Sequence, residues 1–244
     1  MLSKNELERY KRQMMMEGWG TVTQERLKRS TVFIAGAGGL GSPVSIYLAV
    51  AGIGHLVICD FDSPDYSNLN RQILHDHTRL GTNKAVSAKM TLERLNPDIQ
   101  VTAITDKITA DNAEALVGDA VLIMDCMDNF PTRYVLNACA IKKGIPMVYG
   151  SIYGLDGRMS FIHPPETPCL KCLFQESPPQ EVFPVVGATP GVVGSLQAME
   201  AIKFLAGVGT NHKGKLLVWE GMTMSFKSYK AYKDPNCPAC SHLK

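Results

Sequence analysis

Several things are scarce in this chain of 244 residues. Charge of one sign is scarce: 25 Lys and Arg stand against 23 Asp and Glu, a net of +2. So weak a field draws neither nucleic acid nor an acidic membrane surface. Long hydrophobic runs are missing as well. No stretch approaches the ~18 apolar residues of a membrane helix. The first residues, M-L-S-K-N-E-L-E-R-Y, lack the apolar segment of a signal peptide. A cytoplasmic protein without a membrane partner is expected. Cysteines number 7, an odd count, and four of them fall in two C-x-x-C pairs. That usage points to a metal rather than a disulfide framework. What is present is ordinary: 45% hydrophobic and 20% charged residues, the makeup of a globular protein. The length suits one domain, 1–244, with a large core.

The richest stretch is Val32 to Asp60. It runs from an apolar strand through G-A-G-G-L-G to an apolar helix and a second strand, H-L-V-I-C-D. This is the pattern of a nucleotide-binding βαβ unit. Gly36, Gly38, Gly39 and Gly41 let backbone N–H groups approach a polyphosphate, and the helix start adds a favourable dipole. Pro43 suits the first helical turn. Asp60 follows at about the 20-residue distance of a ribose-binding carboxylate. The glycine pattern alone serves NAD, FAD or ATP.

Along the rest of the chain, Ser3 and Glu6 have capping-box spacing, and a helix to about Glu17 is expected in a helical region 1–30. Strands are expected at Thr31 to Ala35, His55 to Cys59, Val101 to Ile104, Val121 to Met124 and Met147 to Tyr149. Helices are expected at Ser42 to Ala51, Lys84 to Leu95 and Pro131 to Lys143. Residues 31–150 thus form a nucleotide-binding half, and the alternation implies a doubly wound, Rossmann-like, mostly parallel α/β sheet. From Gly157 the texture changes. Arg158 to Ile162 and Lys215 to Glu220 read as an antiparallel C-terminal extension. The proline-rich segment Pro164 to Pro190 and a helix at Ser195 to Leu205 lie between them. His75 and His77, two apart, share one side of an extended segment and read as surface or packing residues.

The loop after Asp60 ends in Arg71, and Lys84 opens the next helix. Alone, each cation is a solvated surface charge. Beside the glycine loop, both reach toward a triphosphate. Asp128 and Asn129 follow the V-L-I-M-D-C strand at the sheet edge where ligands bind. A carboxylate there suits Mg²⁺, which takes few protein ligands and several phosphate oxygens. Asp125 reads either as part of that edge or as a helix cap. The set fits nucleotidyl transfer from ATP. A peptide carboxylate, with pKa ~3.5, needs no general base.

These residues carry a resemblance. R-Y-K-R-Q at Arg9 to Gln13, G-A-G-G-L-G at Gly36 to Gly41, D-F-D at Asp60 to Asp62, S-N-L-N-R-Q at Ser67 to Gln72, Lys84, D-C-M-D-N at Asp125 to Asn129, G-S-L-Q-A-M-E-A-I-K at Gly194 to Lys203 and the two C-x-x-C pairs occur in this order. Over nearly its whole length the chain resembles the MoeB/ThiF/HesA family, bacterial relatives of ubiquitin-activating enzymes. The resemblance implies adenylation of the C-terminal glycine of a ubiquitin-like sulfur-carrier protein ending in Gly-Gly, with Mg-ATP consumed and pyrophosphate released. It implies that Gly39 contacts phosphate, Asp60 contacts the ribose, Asp62 and Asn129 belong to the nucleotide site, Arg71 and Lys84 bind phosphates near Asn68, and Asp128 holds Mg²⁺. Arg12 resembles an arginine that reaches the γ-phosphate of a neighbouring subunit, which implies a homodimer with shared sites. Residues 151–244 would bind the carrier and a zinc ion. M-E-A-I-K leans toward the molybdopterin-synthase type over the thiazole type.

Cys169, Cys172, Cys237 and Cys240 offer a closed, tetrahedral thiolate set, hence a structural zinc, although the pairs are farther apart than in a zinc ribbon. Cys59, Cys126 and Cys139 sit in apolar contexts and read as core. Some family members carry a cysteine in the crossover loop, but Leu173 to Gly194 contains none. Around Gln180 the sequence is P-P-Q-E-V-F-P. The chain is expected to stop at the acyl-adenylate and leave it to a separate sulfur donor. Pro178, Pro179, Pro184 and Pro190 would stiffen that loop as a cover. Two rival readings are an NAD(P)-dependent oxidoreductase, from the same glycine loop and Asp60, and a non-catalytic protein that only docks the carrier.

Overall fold

The computed structural model describes residues 1–177 and 183–243. Pro178, Pro179 and Gln180 lie outside the described residues. Three helices open the chain: α1 Lys4–Arg9, α2 Lys11–Met14 and α3 Gly20–Arg29. The expected capping box is made, with Glu6 N–H donating to Ser3 Oγ (3.2 Å) and Ser3 N–H to Glu6 Oε2 (2.7 Å). The helix does not run to Glu17. It breaks at Tyr10, whose φ of −96° and ψ of 5° turn the chain. Tyr10 gains burial from that turn, being 3% exposed, and its hydroxyl accepts from Asn96 Nδ2 at 2.9 Å.

The sheet has eight strands: β1 Thr31–Ala35, β2 His55–Cys59, β3 Gln100–Ile104, β4 Leu122–Asp125, β5 Met147–Tyr153, β6 Asp156–Ile162, β7 Lys215–Glu220 and β8 Ser225–Lys230. Their spatial order is β3-β2-β1-β4-β5-β6-β7-β8. Pairing is parallel from β3 to β5 and antiparallel from β5 to β8. The strand order reverses between β1 and β4, and such a reversal opens a crevice at the strands' C-terminal ends.

The remaining helices are α4 Gly41–Ala51, α5 Lys84–Leu95, α6 Ala113–Val117, α7 Phe130–Lys143, α8 Leu170–Leu173 and α9 Ala188–Ala206. Alternation along β1 divides the core. Val32 and Ile34 join one cluster with α4, α5 and α9, and Phe33 and Ala35 join another with α6 and α7. Each fully buried Phe, Ile or Val contributes about 1.5–3 kcal/mol, so both faces must be covered.

α9 starts well before the expected Ser195. Pro190 lies in its first turn, where a missing N–H costs nothing, so the proline reads as helix entry rather than loop. α9 lies very close to the sheet. A Cβ on Gly157 would fall 2.2 Å from Val193, and one on Gly150 2.3 Å from Gln197. His75 and His77 are not on an extended segment, since His77–Arg79 is a 3-10 turn. No described helix is long and apolar enough to cross a membrane.

Candidate active site

The glycine loop leaves β1 at the switch point. Gly36 has φ +96°, and a Cβ there would lie 2.9 Å from the Cys126 carbonyl oxygen. A Cβ on Gly41 would lie 2.0 Å from the Gly36 carbonyl oxygen. These two glycines are required by the loop's own packing. Gly36 N–H also donates to Cys59 O at 2.9 Å, so it is spent inside the chain. Gly38 and Gly39 differ. The nearest atoms to an added Cβ are at 3.6 and 3.5 Å, ordinary contact. Among the described residues their N–H groups meet no acceptor. These two N–H groups, just ahead of the α4 N-terminus, form an anion cradle.

The peptide between them and β1 is pinned on both sides. Ala37 N–H donates to Asp60 Oδ2 at 2.8 Å. Ala37 O is 2.8 Å from His75 Nε2, which must donate because a carbonyl only accepts. His75 Nδ1 then accepts from Ser87 Oγ at 2.9 Å. Burial holds the His75 pKa below its ordinary value and keeps the ring neutral. Asp60 Oδ1 accepts from Asp62 N–H at 2.9 Å, and each Asp60 oxygen keeps a lone pair for a ligand hydroxyl. Burial raises the Asp60 pKa against the pull of those bonds and of Lys84.

Lys84 is 8% exposed, and its Nζ lies 3.6 Å from Asp62 Oδ2. Asn83 places it. Its Oδ1 caps α5 at Ala85 N–H (2.9 Å), while its Nδ2 donates to Asp60 O at 2.9 Å. Arg71 runs beside the cradle, with Cγ 3.6 Å from a Cβ built on Gly39. One of its Nη atoms donates to Ser67 O (3.0 Å) and Asn70 Oδ1 (2.9 Å). Asn68 closes the same loop by accepting from Asp65 N–H at 3.3 Å.

Across the switch point Ala35 pairs with Asp125, so the ends of β1 and β4 lie side by side. Asp128 is exposed there, and its Oδ1 accepts from Asn129 Nδ2 at 3.2 Å. Asn129 is the cap of α7, its Oδ1 accepting from Thr132 N–H at 3.0 Å. Asp125 is therefore not the helix cap. It is buried beside Arg133, and burial pushes its pKa up to about 6 against the pull of that guanidinium.

The structure does not bring Arg12 to its own glycine loop. Arg12 follows Tyr10, and the next residue, Gln13, donates to Ala51 O at 2.9 Å, at the far end of α4. An 11-residue helix is about 16 Å long, more than an arginine spans. Arg9 and Tyr10 are also tied down, to Asp98 at 3.5 Å and to Asn96. Arg12 is exposed and, among the described residues, makes no hydrogen bond or ion pair.

The four paired cysteines converge as expected. Their sulfurs all lie within 4.8 Å of one another, with Cys169–Cys237 at 3.6 Å and Cys172–Cys240 at 3.5 Å. A tetrahedral zinc with ~2.3 Å bonds sets sulfurs ~3.8 Å apart, so the cluster has metal-site dimensions. Asp234 N–H points at Cys172 Sγ (3.5 Å), as an outer-sphere donor to a thiolate would. Cys59, Cys126 and Cys139 are buried in the core.

Sequence reasoning missed Asn83 and Arg133, and it gave His75 only a surface or packing role. Asn83 carried a signal, an N-cap residue just ahead of a periodic helix. His75 acts through Ala37, far back in the chain, and Arg133 acts through Asp125 and Met127, which the turn into α7 brings beside it.

The ThiF family model matches residues 10–239. A sulfur carrier protein adenylyltransferase of Thermus thermophilus is 41% identical over 249 residues, covering 98% of this chain and 92% of the relative. A SAMP-activating enzyme E1 of Haloferax volcanii is 40% identical, covering 98% and 90%. Among solved structures, E. coli MccB with MccA-N7isoASN superposes with a TM-score of 0.87 at 23% identity, covering 99% of this chain and 76% of that one, which shows a shared fold. With the family match spanning the whole sheet and three of the four clustered cysteines, the chain belongs to the ThiF family.

Proposed function

We propose that this protein is an adenylyltransferase that activates the C-terminal glycine of a ubiquitin-like sulfur-carrier protein with ATP. The observation behind it is the pair of N–H groups at Gly38 and Gly39 that meet no acceptor among the described residues, with Arg71 and buried Lys84 alongside and the Asp128 carboxylate across the crevice. Residues 31–150 would hold the nucleotide, with Asp60 and Asp62 at the ribose. Residues 151–244 would hold the carrier.

The chemistry asks little acid–base work of the chain. A carboxylate oxygen attacks the α-phosphorus, an acyl–phosphate bond forms, and the bond to pyrophosphate breaks with no proton moved. The protein's share is alignment and neutralisation of the departing charge, which Arg71 and Lys84 supply. Asp128, an exposed carboxylate at the ligand edge, fits Mg²⁺, which when bound would share the phosphate charge. The four-cysteine cluster fits a structural zinc. No described cysteine outside it is exposed, and the crossover segment has none, so a separate sulfur donor would take the acyl-adenylate.

Arg12 supports a homodimer in this reading. It stands a helix length from its own cradle, so it serves a phosphate only in a partner subunit. Next to the cradle lies an open groove of about 630 Å³ lined by Pro43, Tyr47, Ile73, Val192, Leu196 and Met199. Tyr47, Ile73 and Met199 are 50%, 62% and 57% exposed, a face suited to a second copy.

The deciding experiment is ATP–pyrophosphate exchange with carriers ending in Gly-Gly. Exchange with one of them and not with its Gly-Gly-truncated form is expected. Silence with every such carrier, alongside stabilisation by NADH but not by Mg-ATP, would return the chain to the oxidoreductase reading. Carrier binding without nucleotide binding would mark a docking protein.

A further inference from the structure

Arg133 and Asp125 form a buried charge pair that stability does not explain. Their side chains are 4% and 0% exposed, and Arg133 Nε lies 3.9 Å from Asp125 Oδ1. Among the described residues, Arg133 Nε, its Nη1 and Asp125 Oδ2 have no hydrogen-bond partner. A buried pair with orphaned atoms adds little to stability, and apolar replacements are often neutral.

What the pair does hold is one peptide. Asp125 Oδ1 accepts from Met127 N–H at 3.1 Å, and the Arg133 Nη2 donates to Met127 O. The guanidinium is fixed between two rings, its carbon 5.2 Å from the Phe130 centroid and 4.9 Å from that of Tyr149. The next residue is Asp128. On its other side Asn129 is anchored by its cap bond and donates to Asp128 Oδ1 at 3.2 Å. Asp128 is therefore an exposed carboxylate mounted between two fixed peptides.

We propose that Arg133 and Asp125 are positioning residues that clamp the Met127 peptide and so set the direction in which Asp128 offers its carboxylate to the metal of the nucleotide complex. This rests on the assignment of Asp128 to Mg²⁺ made above. Outer partners of a metal ligand commonly change metal affinity by about 10- to 100-fold when removed.

The test compares Arg133→Met, which keeps bulk but has no donors, Arg133→Lys, which keeps charge but not the fork, and Asp128→Asn. Manganese binding is read by EPR on protein saturated with a non-hydrolysable ATP analogue. The Mg²⁺ requirement of pyrophosphate exchange is read alongside. Arg133→Met should weaken Mn²⁺ binding about tenfold or more and raise half-saturating Mg²⁺ similarly, with Arg133→Lys intermediate. Unchanged Mn²⁺ affinity and Mg²⁺ requirement in Arg133→Met would overturn the clamp, even if the rate fell, because a merely structural residue lowers the amount of active enzyme and leaves its metal dependence alone. If Arg133→Met does not fold, Arg133→Lys decides on the same readings. Asp128→Asn binding Mn²⁺ as tightly as the parent would instead sink the Mg²⁺ assignment itself.

Discussion

At the scale of single residues, the glycine loop contains two kinds of glycine. Gly41 is crowded: a Cβ would sit 2.0 Å from the Gly36 carbonyl oxygen, so Gly41→Ala must displace the loop. Gly39 is not crowded, with its nearest neighbour, Pro190, at 3.5 Å. Gly39→Ala should fold with unchanged or slightly raised stability, since alanine loses less entropy by about 0.4–1 kcal/mol. Its methyl group would nonetheless stand against Arg71, with Cγ 3.6 Å away, in the cation's path to the cradle. Thermal melts should therefore separate Gly41→Ala from the parent, and calorimetry with Mg-ATP should separate Gly39→Ala. Full nucleotide affinity in Gly39→Ala would remove that glycine from the cradle. Asp125 offers a second residue-level reading. Its folded pKa of about 6 exceeds the ordinary 3.8, so the folded protein holds this proton more tightly than the unfolded chain. The associated stability is complete below about pH 4 and is lost as pH rises through about 6, on the order of 3 kcal/mol in all. Carboxylates held below their ordinary range, such as Glu6, run the other way at lower pH. The difference in melting temperature between the parent and Asp125→Asn, followed from pH 4 to pH 7, isolates the term. A difference that does not change over that range would show that Asp125 ionises normally.

At the scale of elements, the cysteine cluster joins α8 to the tail beyond β8 and packs against Ile141 of α7. Without a metal, four sulfurs this close repel on ionisation. With one, the tail is tied to the sheet. One zinc per chain is expected by metal analysis, and both Cys240→Ser and chelation should lower the melting temperature by several degrees. A chain purified without metal and melting normally would refute the assignment. How legible each element was follows from where its determinants lie. β1, β2 and α5 were readable because their signals are local: an apolar run between breakers, or a helical period that stops at Asn96-Pro97. The break of the first helix at Tyr10 was not, because its cause is Asn96, a partner distant in sequence. β8 was missed because most of its side chains are exposed, leaving no alternation to read. The site divides the same way. Asp60, Lys84 and Asp128 stand in recognisable motifs, whereas His75 and Arg133 reveal their work only when folding brings Ala37 and Met127 to them.

At the scale of the whole molecule, the N-terminal arm bears on the proposed homodimer. Arg9, Tyr10 and Gln13 are fastened to Asp98, Asn96 and Ala51, yet among the described residues nothing takes Arg12. An arm so firmly held, with one cation left over and a helix length away from the nearest cradle, suits a site completed by two subunits. Subunit mixing tests this directly. Arg12→Ala and Asp128→Ala homodimers should each be nearly inactive in pyrophosphate exchange. In a heterodimer of the two, one site receives Arg12 from the Asp128→Ala subunit and Asp128 from the Arg12→Ala subunit, while the other site lacks both. Free exchange at equal concentrations makes half the dimers mixed, so about a quarter of parental activity per chain should return. If Arg12 acted within its own chain, both sites of the heterodimer would remain defective and mixing would restore nothing. Gln13→Ala, which loosens the arm without touching the nucleotide, should lower activity in the parent and add nothing to Arg12→Ala. An additive loss would mean that Gln13 matters for some other reason than holding Arg12 in place.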